Sequence, residues 1–168
     1  LFFGHSLGAI LAYEVARHCG DRLQGLVVSA CVAPRHWPTE RGRALARLDR
    51  DGLVAALREY NGMPAQVLDD DEVLDLLLPA MQADFDLVAS YRYRGPAGLE
   101  VPMHVLHGAD DPHVDPGRLQ GWALETRGPC GIERHPGDHF FIDGREAVII
   151  RSMTELPRLG ALSEGTLP

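Results

Sequence analysis

A pentapeptide of the form G-x-S-x-G, Gly4-His5-Ser6-Leu7-Gly8, lies near the beginning of the chain. It follows the apolar residues Leu1–Phe3, and a stretch with apolar side chains at helical spacing begins at Leu7. A strand, a tight turn and a helix in this order expose a serine hydroxyl at a helix N-terminus, where free N–H groups stabilise negative charge. We therefore interpret Ser6 as a nucleophile, the alternative being a glycine-rich turn with an idle serine. Gly4 and Gly8 are expected to let strand and helix approach without a Cβ clash.

A serine hydroxyl becomes nucleophilic when a histidine takes its proton and a carboxylate orients that histidine. His139 is the predicted base, because it follows a short strand at 132–135 and precedes two phenylalanines. Asp111 is the preferred acid, because it lies in the turn that follows a strand at 101–106. Asp110, its neighbour, remains the alternative acid.

Acyl transfer also requires hydrogen-bond donors for the oxyanion that forms at the carbonyl. The backbone N–H of Leu7, next to the nucleophile, is the expected first donor. The second is expected from a loop after an earlier strand, which would precede Leu1. The order serine, acid, histidine along the chain is that of the α/β-hydrolase fold.

The remaining histidines have simpler interpretations. His5 is expected to pack or form a hydrogen bond inside the turn, and His135 is expected to end its strand. A metal site formed by His104, His107 and Asp110 is an alternative that the residue types permit.

The elements that must position these residues read as an α/β fold. A helix from Leu7 to about Cys19 ends at Gly20, and buried strands are predicted at 26–30, 101–106 and 132–135. A closing helix over 145–156 is predicted to end at Pro157, and residues 157–168 are expected to form a C-terminal tail.

The segment 34–98 is too long for a simple crossover between two strands, and its pattern predicts a helical insertion, which is a candidate lid. Its predicted helices cover 43–50, 52–60, 70–78 and 79–93. The acidic run Asp69-Asp70-Asp71 is expected to provide the N-cap and first-turn acids of the third helix.

Composition excludes several classes of protein. The 168 residues include 16 basic and 24 acidic ones, with a net charge of −8, which argues against nucleic acid as the main partner. No apolar stretch approaches the length of a membrane span. The three cysteines form no C-x-x-C pair, which favours reduced side chains in a cytosolic protein. The chain begins with Leu1 inside a strand pattern, so a fragment without its N-terminal strands is expected.

Three stretches make the chain resemble the type II thioesterases, the discrete editing thioesterases of polyketide and nonribosomal peptide synthesis. The segment 3–9 looks like that family's nucleophile turn. The segment 137–142 looks like its histidine loop, although a glycine is commoner at the position of Asp138. The segment 76–85, continued by Tyr91-Arg92-Tyr93, is similar to its lid and is the most specific of the three.

The resemblance implies a partial α/β-hydrolase domain over residues 1–156 that hydrolyses acyl thioesters. The substrate would be carried on the phosphopantetheine arm of an acyl or peptidyl carrier protein, and no metal or cofactor would be needed. Ser6, Asp111 and His139 would be nucleophile, acid and base. Five lid residues would line an acyl pocket or pack inside the lid: Leu76, Leu77, Met81, Phe85 and Val88. The arginines of 35–50 would be available to an acidic carrier.

Two alternatives remain open at this stage. One is a carboxylesterase, or a terminal thioesterase domain cut from a synthase. The other is a noncatalytic binding protein or an inactive fragment. If the front strands are missing, the 168-residue chain expressed alone is expected to aggregate, because a buried strand would become an open edge.

Overall fold

The computed structural model describes residues 1–60 and 62–163, except for the side chains of Asp21 and of residues 157–163. The chain forms two compact units. The first contains Leu1–Arg35 together with the chain from Arg94 onward, and the second is His36–Tyr93. The second unit corresponds closely to the insertion predicted at 34–98.

A four-stranded parallel sheet forms the centre of the first unit. Its strands are β1 (Phe2–His5), β2 (Leu26–Ser29), β3 (Met103–Gly108) and β4 (Cys130–His135), in the spatial order β1-β2-β3-β4. Helix α1 (Leu7–Ala16) follows β1 directly. Because all four strands are parallel, the turns that follow them lie along one edge of the sheet.

The sheet is stabilised by apolar burial, as its sequence predicts. Strand β2 is buried at all four positions, which is typical of a central parallel strand. Side chains from several elements form one core cluster: Val27, Ala30, Leu106, Phe141 and Leu156. Gly25 allows Leu156 to approach closely, because a Cβ there would lie 2.7 Å from its Cδ2 atom.

The predicted strands are all present in the first unit, with ends that shift by one or two residues. The first helix ends at Ala16, earlier than predicted, and a 3-10 turn follows at Gly20–Arg22. The prediction that Pro157 ends the closing helix is wrong, because that helix runs over Glu146–Ser163. Proline removes one backbone donor from a helix but does not always end it. The predicted tail beyond Ser163 lies outside the described residues.

The second unit contains four helices: α2 (Glu40–Leu45), α3 (Arg50–Tyr60), α4 (Ala65–Leu68) and α5 (Asp71–Ser90); the closing helix of the first unit, Glu146–Ser163, is α6. Thr39 caps α2 by accepting a hydrogen bond from Gly42, so this helix begins earlier than the predicted 43–50. Asp70 caps α5 as predicted, accepting from the N–H groups of Glu72 and Val73.

The two helices predicted at 70–78 and 79–93 are wrong, because α5 is one helix of 20 residues that contains Pro79. A proline inside a helix costs about 3 kcal/mol. Apolar side chains on both sides of the proline offset this cost by packing on one cluster. That cluster consists of Leu53, Leu57, Leu68, Leu74 and Leu78, with Met81 and Phe85 against it. Of the helices in the described ranges, none is long and apolar enough to span a membrane.

A buried carboxylate connects distant segments of the first unit. Glu125 is fully buried and accepts a hydrogen bond from the Tyr13 hydroxyl. The Ala97 N–H donates to the same carboxylate oxygen as Tyr13, and the other oxygen lies 3.3 Å from the Arg35 guanidinium. Burial and the hydrogen bond to Glu125 raise the pKa of Tyr13 well above its usual value. A buried charge of this kind is tolerated only because it is paired.

Replacing Glu125 by alanine should therefore reduce the free energy of unfolding by about 2–4 kcal/mol, because buried partners lose their acceptor. Urea denaturation of the whole protein measures the change. Glu100→Ala is the matched control, since Glu100 and Arg127 form an ion pair with both side chains about three-quarters exposed. That control should cost less than about 1 kcal/mol. Equal losses in the two variants would contradict a structural role for the buried carboxylate.

Candidate active site

The turn between β1 and α1 holds Ser6 in a strained conformation. Its φ is 53° and its ψ is −121°, and such strain at a non-glycine residue is common at functional sites. The Ser6 N–H donates to the Ser29 carbonyl at 2.8 Å, which joins the turn to the end of β2. Gly4 is required here, because a Cβ would lie 2.2 Å from the Gly8 carbonyl oxygen. The expectation for Gly8 is wrong, since a Cβ on that residue would meet nothing within 4 Å.

The loops after β3 and β4 carry Asp111 and His139, and backbone hydrogen bonds join these loops. The Ala109 N–H donates to the backbone carbonyl of His135 at 2.7 Å, and the Asp110 N–H donates to the backbone carbonyl of Gly137 at 2.9 Å. Gly108 lets the loops touch, because a Cβ there would lie 2.2 Å from the Asp138 carbonyl oxygen. The relative position of the two loops is therefore determined by the backbone.

Asp138 is the residue at which the histidine loop departs from the pattern that the resemblance to the type II thioesterases implies. Its carboxylate accepts a hydrogen bond from the Phe140 N–H at 3.0 Å, which closes a turn of the kind that aspartate favours. The turn begins at Gly137, whose φ is 118°. This side chain therefore stabilises the loop that carries His139.

Three side chains from these turns form one chain of hydrogen bonds. The His139 Nε2 atom lies 3.0 Å from the Ser6 Oγ, and its Nδ1 atom lies 2.8 Å from an Asp111 carboxylate oxygen. His139 and Asp111 are both buried. A carboxylate only accepts hydrogen bonds, so Nδ1 carries the proton and Nε2 is left as the acceptor for the Ser6 hydroxyl.

Asp111 is held in its ionised form despite its burial. Burial by itself raises the pKa of this carboxyl group, but the hydrogen bond from His139 and the electrostatic interaction with its imidazole outweigh it. The His113 N–H donates to the other carboxylate oxygen at 2.8 Å and acts in the same direction. The net result is a pKa below the ordinary value, so the carboxylate is charged at neutral pH.

Asp110 and the two nearby histidines have different surroundings. The Asp110 side chain is exposed, and the structure does not bring it to His139. His104 pairs with Glu133 at 3.3 Å, and His107 donates to the Gly108 carbonyl. Among the described residues, no group of three or more potential ligands could hold a metal ion.

Leu7 is the first residue of α1, so its N–H is one of the helix's initial donors that lack an intrahelical acceptor.

The five predicted lid residues differ from one another in their surroundings. Met81 and Phe85 pack against the second unit's own core, and Leu76 is 79% exposed. Leu77 and Val88 are half-buried, so the acyl-lining role of the five stays a prediction.

Three aromatic rings surround the imidazole of His139. His5 lies 5.3 Å from it between ring centres, His113 lies 5.4 Å away and Phe140 lies 5.2 Å away. All three meet it at steep angles, which fixes the plane of the ring.

The sequence patterns did not indicate the role of His113. The Asp-Pro-x turn could have indicated its backbone hydrogen bond, but no sequence signal placed its ring against His139.

His5 forms the hydrogen bond expected inside the turn, since its Nδ1 atom lies 3.1 Å from the Ser29 Oγ. Burial lowers the pKa of His5 to about 4, and the neighbouring charge of His139 acts in the same direction. His135 ends β4 as expected and stacks on Phe141 with ring centres 5.4 Å apart.

Several known proteins are similar to this chain in sequence and in fold. A family profile for the thioesterase domain matches residues 1–155. The thioesterase PikA5 of Streptomyces venezuelae is 36% identical over 146 residues, which cover 84% of this chain and 51% of that protein. The gramicidin S biosynthesis protein GrsT of Aneurinibacillus migulanus is 32% identical over 160 residues, covering 94% of this chain and 62% of GrsT.

Solved structures agree with these relatives. The type II thioesterase BorB from the borrelidin biosynthetic cluster superposes with a TM-score of 0.80 at 35% identity, covering 92% of this chain and 64% of BorB. RedJ, a thioesterase of the prodiginine pathway in Streptomyces coelicolor, gives 0.81 at 31% identity, over 92% of this chain and 62% of RedJ. The chain thus spans between about half and somewhat under two thirds of these proteins. It belongs to the thioesterase family, and its resemblance to the type II thioesterases of polyketide and nonribosomal peptide clusters is confirmed.

Proposed function

We propose that this chain carries the catalytic serine of a thioesterase that clears acyl groups from carrier proteins in polyketide or nonribosomal peptide synthesis. The observation that carries the proposal is the hydrogen-bonded chain from Ser6 through His139 to Asp111. The substrate class rests on the family and on relatives such as BorB. The acyl group would be bound as a thioester to the phosphopantetheine arm of the carrier.

In the first half-reaction, the Ser6 hydroxyl attacks the thioester carbonyl while His139 Nε2 takes its proton. The Leu7 N–H, at the start of α1, is positioned to donate to the oxyanion. The carbon–sulfur bond then breaks, and His139 returns the proton to the leaving thiol. The products are an acyl-serine and the free carrier arm.

In the second half-reaction, His139 takes a proton from water, which attacks the ester carbonyl of the acyl-serine. The bond between the carbonyl carbon and the Ser6 oxygen breaks, and the proton returns to that oxygen. The free acid leaves, so the sum of both steps is hydrolysis of one thioester. Asp111 stays ionised throughout and stabilises the imidazolium that forms twice.

Ser6→Ala should reduce release of acyl groups from a loaded carrier by well over about a hundredfold, because no other group replaces the nucleophile. Steady-state hydrolysis by the full-length protein measures this loss. Ser90→Ala, at an exposed serine of the second unit, is the matched control and should retain activity. Undiminished turnover in Ser6→Ala would refute the assignment of the nucleophile. Efficient cleavage of p-nitrophenyl esters together with inert acyl-carriers would identify an esterase instead.

Asp111→Asn should lower kcat by about 10³–10⁴-fold, because an amide no longer stabilises the imidazolium and permits the wrong tautomer. Asp110→Asn should change kcat by less than about threefold, since its side chain is exposed and does not reach the histidine. Measuring kcat and KM for both variants separates the two carboxylates. A larger loss in Asp110→Asn would reverse the assignment of the acid.

The shifted pKa of His5 predicts a pH dependence of stability. In the unfolded chain this group has its ordinary pKa of 6.5, whereas in the folded chain the pKa is about 4. As pH falls from 6.5 towards 4, the unfolded chain therefore binds a proton that the folded chain does not, and stability is lost. The His5 share of this loss between pH 7 and pH 5 is about 2 kcal/mol.

Urea denaturation at pH 7 and at pH 5, in the wild type and in His5→Gln, measures this share. The substitution should reduce the loss by about 2 kcal/mol but should not abolish it. Burial also lowers the pKa of His104 and His135, so they add to the loss in the same direction. An unchanged pH dependence in His5→Gln would show that His5 is not the buried neutral group described here.

A further inference from the structure

A cleft with a volume of about 430 Å³ lies within the second unit, between α2 with its flanking residues and the end of α5. Its size falls in the range of small-molecule sites in proteins. Its walls consist of arginines, aromatic rings and a few small residues, with no acidic side chain. The lining residues are Trp37, Pro38, Arg43, Ala46, Arg47, Ala89, Tyr91, Arg92 and Tyr93.

The charge of this cleft is opposite to that of the unit that contains it. The segment 36–93 contains eleven acidic residues and six arginines. Three of the arginines form ion pairs with carboxylates: Arg41 with Glu59, Arg50 with Asp71 and Asp75, and Arg58 with Asp69.

The other three arginines, Arg43, Arg47 and Arg92, all line the cleft. Within the ranges that the structure describes, none of them has a carboxylate within ion-pair distance. Arg43 and Arg47 carry like charges and line the same cavity, so an anion bound between them would reduce their mutual repulsion. Three unneutralised guanidinium groups around one cavity form an environment in which an anion is favoured over a neutral ligand.

The Arg92 side chain is held in place at the end of α5. Its Nη1 atom donates to the carbonyl groups of Ser90 at 3.0 Å and Tyr91 at 2.9 Å. A guanidinium has five N–H donors, so this anchoring leaves others available to a ligand. The charge of Arg92 is therefore preorganised at the wall of the cleft.

The aromatic wall supplies a second kind of contact. Trp37 and Tyr91 meet edge to face with ring centres 6.3 Å apart, and Tyr93 lines the same cleft. The Trp37 Nε1 atom is buried and has no hydrogen-bond partner within the described part of the chain. A buried indole N–H without an acceptor is uncommon, and a bound acceptor would satisfy it.

We propose that this cleft binds a nucleotide, that is, a phosphate ester that carries an aromatic base. Guanidinium groups match the geometry of phosphate oxygens and bind them through paired hydrogen bonds. The rings of Trp37 and Tyr93 offer apolar faces to a planar base. Inorganic phosphate would leave most of the 430 Å³ unfilled, whereas a nucleotide uses both the charged and the aromatic walls.

Isothermal titration of the full-length protein with ADP, coenzyme A, adenosine and inorganic pyrophosphate tests the proposal. Hydrolysis is not measured, so the result is independent of the reaction proposed for Ser6. ADP and coenzyme A are expected to bind, with adenosine and pyrophosphate each at least about tenfold weaker. Similar affinities for ADP and coenzyme A identify the nucleotide portion as the determinant. Binding of coenzyme A alone would overturn the proposal, because the pantetheine portion would then be recognised.

The double variant Arg43→Gln/Arg47→Gln should weaken ADP binding by about tenfold to a hundredfold, as expected for lost charge-assisted hydrogen bonds. Arg41→Gln is the matched control: Arg41 lies on α2 with Arg43 but is paired with Glu59 and does not line the cleft, so this variant should bind ADP like the wild type. Quenching of tryptophan fluorescence by ADP should disappear in Trp37→Phe, while the buried Trp122 still emits.

Several other results would also overturn the proposal. One is failure of both ADP and coenzyme A to bind. Another is pyrophosphate or adenosine binding as tightly as ADP, because one of the two walls would then contribute nothing. The third is binding of a glutamate-rich peptide without binding of ADP, which would assign the arginines to a protein partner. A loss in Arg41→Gln as large as in the double variant would also exclude a specific role for the cleft.

Discussion

The hydrogen bond between Ser6 and His139 joins residues that are 133 positions apart, and it depends on the parallel sheet. Parallel strands bring their carboxyl ends to one edge, so the turns after β1, β3 and β4 face the same side. A shift of one residue in any of these strands would turn every side chain on it to the other face. The register of the sheet, maintained by apolar burial of β2 and β3, therefore brings Ser6, Asp111 and His139 together.

The same constraint explains the glycines at the site. Gly4 and Gly108 occupy the points at which one turn meets another backbone, and a Cβ at either would lie 2.2 Å from a carbonyl oxygen. The strained φ of Ser6 is maintained because the turn is joined to the end of β2 through Ser29. Such strain persists only where the surrounding structure is well determined. Backbone contacts, more than side-chain contacts, thus position Ser6 and His139.

Sequence patterns predicted the strands and a helical insertion, and they singled out Ser6, Asp111 and His139, which the structure brings together, because each of these signals is encoded locally. Around both Ser6 and His139, glycines and apolar residues lie close to the candidate side chain, so each signal is contained in a short stretch of sequence. What the patterns missed arises from tertiary packing. Pro79 suggested a break, yet α5 continues because Leu74, Leu78, Met81 and Phe85 share one core cluster. Gly8 and Gly4 are alike in sequence, and only the close approach of the backbone distinguishes them.

Sequence patterns also could not decide which of two adjacent carboxylates, Asp110 or Asp111, contacts His139. Both carboxylates follow the same strand, so composition and spacing alone cannot separate them. The backbone N–H of Asp110 donates to the Gly137 carbonyl. In this conformation the Asp110 side chain is exposed, whereas Asp111 is buried beside His139. The His113 N–H then supplies a second donor to Asp111, which keeps the buried carboxylate charged. Two backbone hydrogen bonds, one between the loops and one within a loop, therefore favour Asp111 over Asp110 as the partner of His139. Such bonds are made by backbone atoms, so the types of the side chains do not reveal them.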